Sequence, residues 1–412
     1  MKKKTVVAVA AVGAAVLLGS GLFSDKSSSR SNSSDLTSQE ISESIISEPN
    51  NVSVPAIGLK TGNGTVTFAS GAVYSGEWSN YLMEGTGSLQ YPDGGVYTGG
   101  FSESQKSGYG KYTWNNGDCY EGDFANDNLN GTGVYLFSDG RRLDGSFCDG
   151  KFMSGIETYE NEGVSVHVTY SDYRITSAEV TWSDGTFYTG AADENGFSGS
   201  GSLSFSNGDS YQGEFSEGLR NGIGSYIWNN GDQYSGSWIN DRMDGDGEYT
   251  FSGGEKLAGS FSDNVFLHGV YSVENESGSF EIRVSEAGKT TMEFTLSDGT
   301  SYSGDYQDGH ATGSATIKYA SGDTYTGEVV DAKKNGNGIY KWKNGAKYNG
   351  IWKSDQMNGE GTYYYTDSPK KLVGTFESNV PIGECKYYTT TTLFYGTTWK
   401  NGVCVKVTEY AK

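Results

Sequence analysis

The chain has 412 residues with 61 glycines, 30 tyrosines and eight tryptophans but only five prolines, and a formal net charge of −21. So many aromatics exclude a disordered polar chain, and glycines at fixed intervals exclude an ordinary globule, which leaves turn-rich β-structure. Without the three leader lysines, 27 basic and 51 acidic residues remain, a net of −24 that argues against nucleic acid and against unaided binding to anionic lipid.

Residues 1–23 read as an export segment: Lys2, Lys3 and Lys4 precede the charge-free run from Thr5 to Phe23. The run is long enough to stay in a bilayer as an anchor, while Gly19-Ser20-Gly21 offers a small-x-small cleavage site, so both a signal peptide and a transmembrane anchor stay open. The positive-inside rule puts the lysines in the cytoplasm and everything after Phe23 outside. Residues 24–56 are serine-rich and without aromatics, a disordered tether.

A short unit then repeats. Tyr74-Ser-Gly76-Glu-Trp78 is followed at 23-residue steps by Tyr97-Thr-Gly99-Gly-Phe101, Tyr120-Glu-Gly122-Asp-Phe124 and Leu143-Asp-Gly145-Ser-Phe147. After a gap of 45 the steps resume at Tyr188, Tyr211, Tyr234 and Leu257, and after a second gap of 45 at Tyr302, Tyr325, Tyr348 and Leu372. "YTWNNGDCYEGDF" at 112–124 therefore returns as "YIWNNGDQYSGSW" and "YKWKNGAKYNGIW" at intervals of 114. Three four-unit modules result, at 57–169, 170–283 and 284–412, the last with a C-terminal cap. Each gap holds two alternating segments, such as "VSVHVTY" with "AEVTW", which read as an added hairpin in the same sheet. A partial unit from Gly62 and a decayed one near Tyr395 cap the ends.

Within a unit Tyr74, Gly76 and Trp78 share one strand face, and Gly85, Gly87 and Leu89 share a face of the returning strand. The expected register lays aromatics of one strand across glycines of the next, and the Asn-Gly, Asp-Gly and Ser-Gly pairs that follow are expected to supply the positive φ angles of tight hairpin turns. The fold expected is all-β: an elongated antiparallel meander of about 28 strands between Tyr74 and Trp399, on the order of 130 Å long at strand spacing.

The Tyr-x-Gly-x-Trp, Gly-x-Gly and Asn-Gly pattern at 23 residues resembles the MORN (membrane occupation and recognition nexus) repeat from about residue 60 to 402. The resemblance implies a β-hairpin array used for protein contact or as a scaffold, in some members joined to catalytic domains or implicated in membrane association. Departures from the pattern are the Leu-headed units, the inserted hairpins and Val329 where an aromatic is expected.

No chemistry stands out in the residues. His167, His268 and His310 match no metal-ligand spacing, the Gly-x-Gly pairs lack the β-α-β setting of a dinucleotide loop, and "DGDGE" at 244–248 is explained by the unit's own glycines. No catalytic residue, cofactor or metal is expected. Cys119, Cys148, Cys385 and Cys404 allow three pairings, with free, half-buried thiols the default. The candidate interaction or packing ladder is Tyr74, Trp78, Tyr97, Tyr120, Tyr188, Tyr211, Tyr234, Trp238, Tyr302, Tyr325, Tyr348 and Trp352, read first as sheet packing and second as a ligand-stacking platform. From Ser301 onward 13 lysines meet 11 carboxylates, and Lys333, Lys334, Lys341, Lys343, Lys347 and Lys353 read as a solvated face with an anionic wall polymer as the sharper alternative. The expected function is a non-enzymatic, cell-surface or secreted scaffold for a protein partner, with binding to a cell-wall glycan through the aromatic face as the alternative and contact with a membrane surface also open.

Overall fold

The computed structural model describes residues 60–366 and 369–408. The leader at 1–23 and the tether at 24–56 lie outside the described residues. No helix occurs among the described residues, hence none long and apolar enough to cross a membrane; 31 strands belong to one antiparallel sheet that is not closed. The first strand, β1 (Thr61–Thr67), pairs with β2 (Val73–Ser79), and the last, β31 (Val403–Thr408), pairs with β30 (Phe394–Lys400). Between Tyr74 and Trp399 the chain forms 29 strands, one more than the repeat count suggests.

The 23-residue step has a direct structural meaning. A seven-residue strand, β2, turns through Asn80 and Tyr81 into a nine-residue strand, β3 (Leu82–Gln90), and a five-residue connection leads to β4 (Val96–Ser102). The two 45-residue gaps each contain the expected extra hairpin, Val164–Ser171 with Arg174–Thr181 and Gly278–Val284 with Thr290–Leu296. Their inward residues, among them Val168, Val180, Ile282 and Met292, continue the buried face with aliphatic side chains.

The turn glycines hold the positive φ expected of them, in a loop of three residues. At the Asn-Gly, Asp-Gly and Ser-Gly pairs that precede the Tyr-x-Gly strands, the glycine closes a three-residue loop: the Gly117 amide donates to Trp114 O at 3.1 Å, the Trp114 amide donates to Asp118 O at 2.9 Å, and only Gly117 of that loop has positive φ, at +94°. This is a type I turn with a bulge glycine. The two-residue turns lie at the other end of the strands; some have glycine second, as Asp149-Gly150 at φ 47° and 80°, but others are built by non-glycine pairs: Asn80 and Tyr81 at φ 52° and 69°, Asn126 and Asp127 at 50° and 69°, Asn240 and Asp241 at 47° and 69°. Asn and Asp tolerate that region because their short polar side chains bond locally.

Close contacts divide the described chain into two units, one of residues 60–229 with 237–241, the other of 230–236 with 242–408. In the first, Tyr74, Tyr97, Tyr120, Tyr188 and Tyr211 form the spine of the buried face; in the second, Tyr234, Tyr302, Tyr325 and Tyr348 do.

Candidate functional site

All twelve ladder residues are buried, none more than 4% exposed. Tyr97 meets Phe101 and Phe124 edge-on at 5.1 and 4.9 Å between ring centroids, and Tyr120 repeats this with Phe124 and Phe147 at 5.2 and 5.0 Å. In the other unit Tyr348 does the same with Trp352 and Phe376 at 5.2 and 5.1 Å. Edge-on pairs set the positive rim of one ring against the negative face of the next.

The register between the strands corrects the expected one. Gly76 faces Gly87, and Tyr74 faces Leu89; the tyrosine ring leans along the sheet and covers both glycines. A bulge between Gly76 and Trp78 leaves Glu77 outside the pairing with β3, and the Tyr74 hydroxyl donates to Glu77 O at 2.9 Å. Tyr97, Tyr120, Tyr211 and Tyr325 donate in the same way to Gly100, Asp123, Glu214 and Glu328 at 2.9, 3.0, 3.0 and 2.7 Å. The hydroxyl therefore satisfies a carbonyl that the bulge would otherwise strand, which explains why this position is Tyr rather than Phe. Where Leu replaces it, at Leu143 and Leu257, the bulge passes to the returning strand, where Met153 and Leu267 are left unpaired. An aromatic does stand opposite a glycine in the neighbouring pairing, Phe101 across from Gly85. The indole N–H groups of Trp78, Trp238 and Trp352 are likewise used internally, donating to Gly64, Gly224 and Gly338 O at 3.1, 3.2 and 3.1 Å. Burial, with the Glu77 carboxylate adding to it, pushes the Tyr74 phenol up to about 12, and burial does the same for Tyr348.

Two sets of residues escaped the sequence reading. The first is a cation in each module set among rings, Lys106 and Lys334 buried and Arg220 half-buried. Lys106 is 2% exposed; its Nζ lies 3.2 Å from Asp127 and donates to the Tyr91 hydroxyl at 3.2 Å, 5.7 Å from the Tyr91 and Tyr112 ring centres. Burial pushes its pKa down while Asp127 opposes the shift. The Arg220 guanidinium sits 4.5 Å from the Trp238 ring and 5.1 Å from Tyr226, with Nε donating to Asp241 at 2.9 Å. Lys334 repeats the Lys106 pattern with Asp355 at 3.2 Å and the Tyr319 hydroxyl at 3.2 Å, so it belongs to the core and not to the solvated lysine face. Both the cations and their partners Asp127, Asp241 and Asp355 recur at 114, the signal that would have found them.

The second set is the aspartate after the turn glycine. Asp118 takes the Tyr135 hydroxyl at 2.9 Å and the Ser138 amide at 2.9 Å, tying one hairpin to the next. Burial raises the Asp118 carboxyl, but these donors outweigh it and hold it below the usual range. Asp209, Asp232 and Asp323 clasp Tyr226, Tyr249 and Tyr340 at 2.7, 2.8 and 2.8 Å. Gly95 occupies the corresponding place before Tyr112, whose buried hydroxyl lacks a partner. Gly95→Asp, at a backbone without positive φ, would supply that acceptor, but its Cβ would lie 2.8 Å from the Tyr112 hydroxyl, so the ring has to shift and the expected gain is at most about 1 kcal/mol, read as a rise in the denaturation midpoint.

Among the described residues no group of His, Cys, Asp and Glu is arranged to hold a metal ion. His167 is exposed on its strand, His268 is half-buried, and His310 Nδ1 lies 2.8 Å from Asp331. The four cysteines are free thiols, Cys385 buried, Cys404 exposed, Cys119 and Cys148 half-buried.

The MORN repeat family model matches residues 74–96, 97–119, 120–141, 211–233, 234–256, 302–324, 325–347 and 348–368. The chain is a MORN-repeat protein. Its MORN matches omit the Leu-headed units, the inserted hairpins and the Tyr188 unit, yet Tyr188 still faces Leu203 and Gly190 faces Gly201. In that unit Ala192 stands where Trp78 does, and Phe197, at the place of Met83, stacks face to face on Tyr188 at 3.6 Å to refill the space. Among solved structures, the TCP domain of SAS-4 from Drosophila melanogaster, in complex with a proline-rich motif of Ana2, is similar at 11% identity over 48% of the MORN chain and 90% of its own, with a TM-score of 0.20. The TCP10 domain of CPAP from Danio rerio is similar at 12% identity over 65% and 96%, with a TM-score of 0.19. Scores this low carry neither fold nor function across. No curated protein matches the chain.

Proposed function

We propose that this MORN array is a non-enzymatic scaffold for protein–protein interaction, displayed outside the cytoplasm either on its N-terminal anchor or after secretion. The observation that carries the reading is the use of the aromatic face: its rings pack on one another, and the ladder hydroxyls and indoles described above donate to the chain's own carbonyls. What the sheet offers a partner is then its outer face, with exposed Tyr109, Ile223 and Ile227 in one unit and Ile339 and Ile351 in the other, and the edge strand with exposed Val403, Val405 and Val407. Such surfaces suit docking on a face or pairing at an edge rather than capture in a pocket. Lys2, Lys3 and Lys4 ahead of the apolar run support display outside the cytoplasm.

Crosslinking on intact cells with the full chain as bait tests the reading. A defined protein crosslinked to residues of the outer face or the edge strand is expected. A chain that stays monomeric and uncrosslinked while exposed to added protease at the surface would overturn it.

A further inference from the structure

The outer face of the C-terminal strands carries a row that the MORN unit does not require. Lys341 stands directly opposite Lys347, Lys347 opposite Tyr364, Tyr364 opposite Lys371, and Lys371 opposite Tyr388. The row continues to Phe394 on one side and, through Thr324, to Lys318 on the other. The adjoining row on the same face reads Ile339, Asn349, Thr362, Val373 and Lys386, again without a carboxylate. At the positions 114 residues earlier, Lys341, Lys347 and Tyr364 correspond to Ile227, Gln233 and Thr250, so the fold does not dictate the charge.

These lysines also differ from the basic residues that the sheet pairs with carboxylates. Lys106, Lys111, Arg142, Arg220, Arg242, Lys256 and Arg283 each pair with a carboxylate. Among the described residues, none of Lys318, Lys341, Lys347, Lys371 and Lys386 has such a partner. Three instead rest on rings: Lys347 is 4.3 Å from the Tyr364 centre, Lys371 4.7 Å from Tyr388 and Lys386 5.2 Å from Phe394. Like charges directly opposite each other destabilise a sheet. A chain of net charge −21 does not lack carboxylates to relieve them, yet places none in either row.

We propose that this stripe, formed by Lys341, Lys347, Lys371 and Lys386 with Tyr364 and Tyr388, is a binding face for an acidic polysaccharide. Carboxylates of the polymer draw the ammonium groups off the rings, and the uncovered rings take the apolar faces of the sugars. Ammonium groups one or two strands apart, about 4.8 Å or twice that, match the scale of successive sugar residues along a polymer crossing the strands. An acidic peptide fits less well, because on the face of a sheet, away from its edge, the backbone groups are already paired and a peptide gains no strand addition. The choice of a glycan over a nucleic acid rests on the extracytoplasmic reading above.

Binding of the full chain to polygalacturonate is measured by affinity electrophoresis and calorimetry at low and high salt, beside dextran, polyglutamate and oligo-thymidylate. Polygalacturonate is expected to bind in a salt-sensitive way and better than the other three, with about tenfold or greater weakening in the Lys341→Gln/Lys347→Gln/Lys371→Gln/Lys386→Gln variant. Tyr364→Leu/Tyr388→Leu is expected to weaken binding several-fold while leaving the salt slope unchanged. Circular dichroism checks that each variant is folded, and competition between the polymers on the unaltered chain gives the answer if one is not. No binding of polygalacturonate, equal binding of polyglutamate or oligo-thymidylate, or full binding by a folded glutamine variant would overturn the proposal. Protease accessibility on intact cells tests the location separately, so a misplaced chain and a wrong ligand class give different results.

Discussion

Gly110→Val is expected to be among the most destabilising single changes in the first module, costing about 3–5 kcal/mol. A Cβ at Gly110 would lie 2.4 Å from the Tyr97 hydroxyl oxygen and 2.6 Å from two ring carbons. More than the tip of the tyrosine is in the way, so the ring itself has to leave. With it go the edge contacts to Phe101 and Phe124 and the hydroxyl bond to Gly100 O. Gly108 is the internal control: it has φ +71° and nothing within 4 Å of an added Cβ, so Gly108→Ala is expected to cost only about 1 kcal/mol for its backbone conformation. In a repeat array each hairpin leans on its neighbours alone, so the loss should be local. Hydrogen exchange should show faster opening around residues 96–125 with residues 302–364 unaffected, and equal protection throughout both stretches would contradict the packing described.

The second large effect is alkaline unfolding. Burial holds the phenols of Tyr74, Tyr112, Tyr211, Tyr234, Tyr302 and Tyr348 up near 12, and those of Tyr97, Tyr120, Tyr188 and Tyr325 higher still. The unfolded chain ionises these groups near pH 10. A folded pKa above the unfolded one means that the folded state holds more protons in that interval. The stability they contribute is fully present below pH 10 and is lost as pH rises towards 12 and beyond. Many hydroxyls acting together outweigh the roughly 5–15 kcal/mol that holds an ordinary domain, so unfolding should precede their ionisation.

Much of this architecture was legible because it is periodic. The 23-residue step is the sum of two strands and two turns of fixed length, the 45-residue gaps are whole hairpins, and period-two alternation names the buried face. What escaped depends on geometry that spacing does not carry. Nothing in "YSGEW" announces that Gly76 faces Gly87 and that the tyrosine bends back to a carbonyl freed by a bulge. The two-residue turns were hidden because Asn80-Tyr81 and Asn126-Asp127 hold positive φ without glycine, while the visible glycines serve a longer loop. Lys106, Arg220 and Lys334 were hidden by their charge, which reads as surface until the ring cage and the carboxylate are seen. The lysine run was half legible: Lys334 is core, whereas Lys341 and Lys347 lie on the outer face, a separation set by strand parity.

We infer that the aromatic face is a closed core and not a platform for ligands. Following tyrosinate absorbance and far-ultraviolet circular dichroism together while the pH is raised tests it most directly. The expected result is a cooperative rise in absorbance between about pH 10 and 12 that coincides with loss of the β-sheet signal. A gradual rise centred near pH 10 for most of the tyrosines, with the sheet signal intact, would show hydroxyls open to solvent and would contradict it.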